Sequence, residues 1–268
     1  MVRIENVWLM KGLIVLWSLV VVAVVAADDF KHLSGAGADA ACDGVGFRNT
    51  SAWGREFSEW ARGRTKFLPA DWKQRFQLVE PPANSSARTR AELEFLVEQM
   101  EKREQHQEAI NREILVENFR FGDHRYEDLI TRKEFSKTGE LLKLAYLDLT
   151  VVTFVFKQRF DRVRPSVLAG RLEIPLSPSI EIPGHPAYPS GHATGAYGLA
   201  YLLQELDPDQ AGRYLADARR IGENREVAGV HFPSDTEAGR LLARQIVDGL
   251  LSNPSFVRLL EEARSEWK

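Results

Sequence analysis

Apolar positions in this chain recur at helical spacing and nowhere alternate for long, which predicts helices joined by loops rather than a sheet. Between Trp53 and Phe76, the aromatics Trp53, Phe57, Trp60, Phe67, Trp72 and Phe76 alternate with charge, as short amphipathic helices laid on a larger body would. Pro81 to Ser86 reads as a loop. Thr89 with Glu92 forms a capping-box pattern, and Leu93, Leu96, Val97 and Met100 then trace one face of a long charged helix running to about Glu117. Glu140 to Arg164 is predicted as a second long helix, so apolar between Leu141 and Phe156 that it belongs at the centre of the fold. A proline-marked loop follows from Pro165 to Pro189. Further helices are expected over about Gly191–Glu205, from Pro208 with Asp207 as cap, from a capping box of Ser234 and Glu237 to about Leu251, and over Ser255–Trp267. The expected fold class is all-α, a single-domain helical bundle.

The N-terminus adds one segment of a different kind. Arg3 and Lys11 precede an uncharged run from Gly12 to Ala27, shorter than the about 20 residues a spanning helix needs. Small residues at its end fit a signal peptide cleaved near Ala27, with a retained anchor as the alternative. The domain reading is therefore residues 1–27 as signal peptide, 28–88 as an N-terminal extension and 89–268 as the helical core. Export to the periplasm or the medium follows, and membrane contact only if the segment is retained. Cys42 is the single cysteine, so no internal disulfide and no cysteine metal site can form. A net charge of -3 argues against a nucleic-acid partner, so any anion site must be a local concentration of Lys and Arg. Homo-oligomerisation is left open.

Three stretches supply that concentration. Lys157 and Arg164 stand seven apart, which on one helix puts them within about 20° and about 10 Å of each other, so both arms reach one anion. Pro165 disfavours helical geometry at Arg164 and should end the helix there. In Pro189-Ser190-Gly191-His192, Ser190 is a natural N-cap and Gly191 allows close approach of an anion to free amides, with His192 in the first turn. In Arg225-x5-His231-x3-Asp235, a carboxylate four residues after a histidine can accept the imidazole N–H and fix its tautomer. A nucleophile, a proton donor and a cationic cradle are what phosphoryl transfer asks of a protein. Spacing alone does not say which histidine attacks.

These residues resemble the three-part signature of the type 2 phosphatidic acid phosphatase superfamily, which includes soluble bacterial acid phosphatases and vanadium haloperoxidases. The resemblance covers about residues 140 to 250, with 23 residues between Pro165 and Pro189 and 32 between His192 and Arg225. It implies His231 as nucleophile forming a phosphohistidine, Asp235 as its orienting partner, and His192 as general acid for the leaving alcohol and then base for water. Lys157, Arg164, Arg225, the Ser190 hydroxyl and the Gly191 amide would bind the phosphoryl oxygens. Asn224 stands where the family often has serine and could still hydrogen-bond to oxygen. His185 reads as a loop residue or a minor substrate contact. The function implied is an exported, metal-independent acid phosphatase with a small-molecule phosphate ester as substrate and no cofactor. The alternatives are a vanadium-dependent haloperoxidase, with vanadate as cofactor, a lipid phosphate phosphatase, and a helical binder that keeps the pocket without turnover. The substrate wall is expected from residues 28–88 and the 166–188 loop.

Overall fold

The computed structural model describes Cys42 and residues 44–267; the run Gly12–Ala27 and its expected cleavage site lie outside the described residues. In chain order come α1 (Arg55–Trp60), α2 (Trp72–Arg75), α3 (Ala87–Gln99) and α4 (Arg103–Arg112). An antiparallel pair follows, β1 (Arg120–Phe121) and β2 (His124–Arg125), then α5 (Tyr126–Thr131), α6 (Ser136–Phe160) and α7 (Pro165–Arg171). The last four helices are α8 (Gly191–Leu206), α9 (Ala211–Val227), α10 (Pro233–Leu251) and α11 (Pro254–Arg264). The fold is all-α, with this two-residue hairpin the only regular strand pairing among the described residues. No described helix is long and apolar enough to cross a membrane.

α8 is the axis. Ala193, Ala196, Leu199, Ala200, Leu202 and Leu203 are fully buried on its several faces, so neighbours surround it: α6, α9 and α10 all pack against it. Its glycines set the spacing, since a Cβ at Gly198 would lie 2.5 Å from a methyl of Leu149 in α6. Residues of the expected extension join the same core: Leu68, Trp72 and Phe76 are buried in it, and buried Asp148 of α6 accepts the amides of Lys66 (2.7 Å) and Phe67 (2.9 Å).

Several boundaries differ from the sequence reading. The long apolar helix ends at Phe160, not Arg164, because Asp161 adopts the left-handed conformation (φ 50°). Arg164 is extended, as a residue before proline should be, but it is the N-cap of α7, and Pro165 opens that helix instead of stopping the previous one. Lys157 and Arg164 therefore share no helix face. Ser86, not Thr89, caps α3, accepting the Thr89 amide. At α10 the cap is Phe232, whose amide donates to Asp235, so Ser234 and Glu237 form no capping box. Asp207 makes no side-chain cap and accepts the Tyr214 hydroxyl instead. The expected helix to Glu117 breaks into α3, α4 and 3-10 turns.

Candidate active site

The turn between α9 and α10 builds the His231–Asp235 pair. Gly229 takes a positive φ of 74°, letting the chain reverse after Ala228 and deliver His231 just before α10. Asp235 sits in the first turn of α10, where its Oδ2 accepts the Phe232 amide at 2.9 Å. That capping bond also places Oδ2 3.1 Å from His231 Nδ1. The only acceptor in that contact is the carboxylate, so Nδ1 carries the proton and Nε2 keeps its lone pair. Nε2 in turn lies 3.1 Å from Arg164 Nη1, a group that can only donate. The two contacts specify one tautomer.

Two buried cations, Arg164 and Lys157, face this pair, and a third, Arg225, faces His192. Arg164 donates through Nη1 to the Val230 carbonyl (2.8 Å), through Nε to the His185 carbonyl (3.0 Å) and through Nη2 to His185 Nδ1 (3.0 Å). Lys157 Nζ donates to the carbonyls of Pro186 (2.7 Å) and Ala187 (3.1 Å). Arg225 donates Nη2 to the Ile110 carbonyl (2.8 Å), while its Nε and Nη1 are buried with no hydrogen-bond partner in the protein. Burial pushes the Lys157 ammonium well below its ordinary range, with the Arg164 charge adding to the effect. Burial likewise brings Arg164 down to about 9 and Arg225 to about 10. Burial alone would raise the Asp235 carboxyl, but Arg162, His231 and the Phe232 amide overcome it and hold it well below the usual carboxylate range.

The start of α8 closes the cluster. Ser190 is its N-cap, with Oγ accepting the Ala193 amide at 3.4 Å, and its own amide donates to the Asp235 carbonyl at 2.9 Å. The N-termini of α8 and α10 are thus tied together, and both bring free amides and dipole positive ends to one place. A Cβ on Gly191 would lie 3.9 Å from Lys157 Cε, so the ammonium arm runs close past this backbone. His192 Nε2 donates to the Glu113 carbonyl at 2.9 Å, which leaves Nδ1 as the open nitrogen. Burial and then the Arg225 charge push this imidazole down to about 3. All eight residues singled out from the sequence, Lys157, Arg164, Ser190, Gly191, His192, Arg225, His231 and Asp235, thus fall within one connected cluster.

Sequence reading missed the groups that hold them. Arg159 is exposed, but the Arg162 side chain is 1% exposed and bridges Asp235 Oδ1 (2.6 Å) and Glu92 Oε2 (3.2 Å). Glu92 had been read as a capping residue. Buried Glu113 binds Arg220 and accepts Asn224 Nδ2 at 2.7 Å. Asn224, whose Oδ1 also lies 2.8 Å from His106 Nδ1, thus has both ends of its amide engaged by protein groups. His185 is wedged against Phe57 and Phe154 with ring centroids 4.5 and 5.1 Å away, a packed prop for Arg164. An acid seventy residues from its arginine leaves no local pattern to read.

Fold and cluster define a helical protein with a histidine–aspartate pair enclosed by cations. Residues 141–248 match the PAP2 superfamily, so this segment is similar to that superfamily. A non-specific acid phosphatase of Providencia stuartii is 29% identical over 139 residues, 52% of this chain and 56% of that protein. A non-specific acid phosphatase of Salmonella typhimurium is 30% identical over 140 residues, 51% and 55% of the two chains. This chain spans about half the length of the curated relatives it matches. In fold it resembles a bacterial vanadium-dependent iodoperoxidase, with a TM-score of 0.59 at 16% identity over 84% of this chain and 64% of that one.

Proposed function

We propose that this protein hydrolyses phosphomonoesters through a phosphohistidine on His231. The observation that carries the reading is an imidazole Nε2 lone pair, fixed by Asp235 and facing Arg164, in a cluster that also holds buried Arg225 donors with no partner in the protein. Unpaired buried N–H groups are costly, and a tetrahedral oxyanion would satisfy them. Lys157, Arg164, Arg225 and the α8 amides would cradle the phosphoryl oxygens, with the Ser190 hydroxyl and the Gly191 amide among the donors. In the first step Nε2 forms the N–P bond, the P–O bond to the leaving group breaks, and its electron pair takes a proton from His192. In the second, His192 accepts a proton from water as the water attacks phosphorus, and the N–P electron pair returns to Nε2. Because Nε2 of His192 is committed to the Glu113 carbonyl, both transfers run through Nδ1. Burial and then the Arg225 charge keep this nitrogen unprotonated in the free protein, and a bound dianion offsets the second of these.

No metal enters this scheme, since cationic side chains meet the charge in flight. The relatives' names support a small-molecule phosphate ester as substrate, and the apolar run Gly12–Ala27 supports export. Vanadate has the same shape, and Lys157, Arg164, Arg225 and His231 would hold it; when bound it would supply peroxide-dependent halide oxidation. The experiment is p-nitrophenyl phosphate hydrolysis in EDTA by the wild type and His231→Ala, with acid-labile phosphate trapped on the wild type and mapped to its peptide. Turnover abolished in a folded His231→Ala protein, and label on the peptide containing His231, are expected. Full activity in His231→Ala, or halide oxidation after vanadate loading with no phosphate release before it, would overturn the reading.

A further inference from the structure

The two oxygens of Asp235 have different partners. Oδ2 holds His231 and the Phe232 amide, while Oδ1 receives Arg162 Nη1 at 2.6 Å. Arg162 is itself held by both of its terminal nitrogens, while its Nε is buried without a partner in the protein. Its Nη1 donates to Ser234 Oγ (2.7 Å), its Nη2 to Glu92 Oε2 (3.2 Å), and its guanidinium carbon lies 3.9 Å above the centre of the Phe232 ring. Its backbone carbonyl accepts the Ala187 amide at 2.9 Å. Glu92 closes the ring by accepting the Ser234 amide (3.2 Å) and hydroxyl (2.8 Å). Arg162, Glu92, Ser234 and Asp235 are all buried.

We propose that Arg162, held in place by Glu92, is a positioning residue for His231: it keeps Asp235 ionised and turned so that the Nε2 lone pair of His231 faces the phosphoryl group. A carboxyl this deeply buried is driven toward its neutral form by desolvation. A neutral Asp235 would carry its own proton, which it could donate to Nδ1, and the imidazole proton would then sit on Nε2, where it blocks attack. A guanidinium has only N–H groups to offer, so its donation to Oδ1 disfavours a proton on that oxygen. Glu92 holds the guanidinium in the plane where Nη1 reaches both Oδ1 and Ser234. This role deepens the phosphatase reading and rests on it for its kinetic consequences, but not for the tautomer.

The test uses the full-length protein, labelled with 15N-histidine, and three variants: Arg162→Met, Arg162→Lys and Glu92→Gln. Arg162→Met paired with Glu92→Gln serves if the single variant does not fold. Long-range 1H–15N spectra are expected to show the Nδ1–H form of His231 in the wild type and a shift toward Nε2–H in Arg162→Met. With p-nitrophenyl phosphate, kcat should fall about 100-fold or more in Arg162→Met with KM within about threefold, roughly between outer-shell losses and the loss when a catalytic histidine takes the wrong tautomer. Arg162→Lys should recover part of that loss, and Glu92→Gln should cost less than Arg162→Met. The acidic limb of kcat/KM should move to higher pH in Arg162→Met. Asp235 is faced by Arg162, His231, Arg164 and Lys157, which favour its charge, and by Glu92, Glu226 and Tyr188, which oppose it, so deleting Arg162 raises its pKa. A folded Arg162→Met with wild-type kcat and acidic limb, a loss confined to KM, or an unchanged His231 tautomer would overturn the proposal. If the wild type hydrolyses no phosphomonoester, the phosphatase reading falls and the spectra alone decide the tautomer claim.

Discussion

Replacing Arg225 with methionine should make the protein more stable and less able to bind phosphate. The side chain is 1% exposed, and its Nε and Nη1 have no partner in the protein. Its one close hydrogen bond is Nη2 to the Ile110 carbonyl, and Glu113 is 3.9 Å away. An unsatisfied buried donor costs about 1–3 kcal/mol, so the two nitrogens burden the free protein by about 2–6 kcal/mol. Methionine has a similar reach and removes that burden, but it strands the Ile110 carbonyl at about 1–3 kcal/mol. The difference favours the variant by about 2 kcal/mol, or about 4–8 °C in Tm for a chain of this size. In saturating phosphate the order should reverse. The wild type gains about 2.7 kcal/mol at a ligand concentration one hundred times Kd, while the variant lacks two of the charged donors that would hold the anion and gains less. Thermal unfolding followed by circular dichroism, with and without inorganic phosphate, reads both effects. An Arg225→Met protein that melts lower than wild type without phosphate yet keeps the full phosphate shift would refute the reasoning.

His192→Gln should reduce acid lability while keeping a donor for the Glu113 carbonyl. The folded-state pKa of about 3 lies below the ordinary 6.5, so the unfolded chain binds the proton first as pH falls. Stability present above pH 6.5 is therefore lost toward pH 3 at about 1.4 kcal/mol per unit. Removing this histidine should narrow the gap in unfolding free energy between pH 7 and pH 5 by about 2 kcal/mol, and an unchanged gap contradicts the assignment. Gly198→Ala should lower Tm by several degrees, because its Cβ would lie 2.5 and 2.6 Å from the Leu149 methyls and overpacking of this kind costs about 1–3 kcal/mol. The same Tm as wild type would show that α6 and α8 can separate freely.

The parts of the site legible in the sequence are those whose geometry is local. Ser190 caps α8 because a short oxygen-bearing side chain before a helix does so anywhere, and His231 meets Asp235 because one flanks and the other opens the same helix. The helix end at Phe160 was not legible. A proline five residues on is a stronger written signal than Asp161, whose left-handed turn is supported by tertiary bonds, including its carbonyl to the Phe47 amide at 2.7 Å. Arg159 and Arg162 look alike in sequence, and what separates them is burial against Glu92, an acid that carries a plausible local job as a capping residue. Asn224 shows the same limit in reverse, since a side chain suited to binding oxygen was matched to the wrong oxygen.

Glu92 and Glu113 precede the 141–248 segment, yet one braces Arg162 and the other lies within the shell of Arg220, Asn224 and Arg225. A fragment trimmed to the recognisable signature would retain every member of the eight-residue cluster yet lose Glu113 beside Arg225 and Glu92 beside Arg162. The smallest portable unit of this cluster is thus larger than the motif by which it is found, and any graft onto another scaffold must bring two acids that no motif search would select.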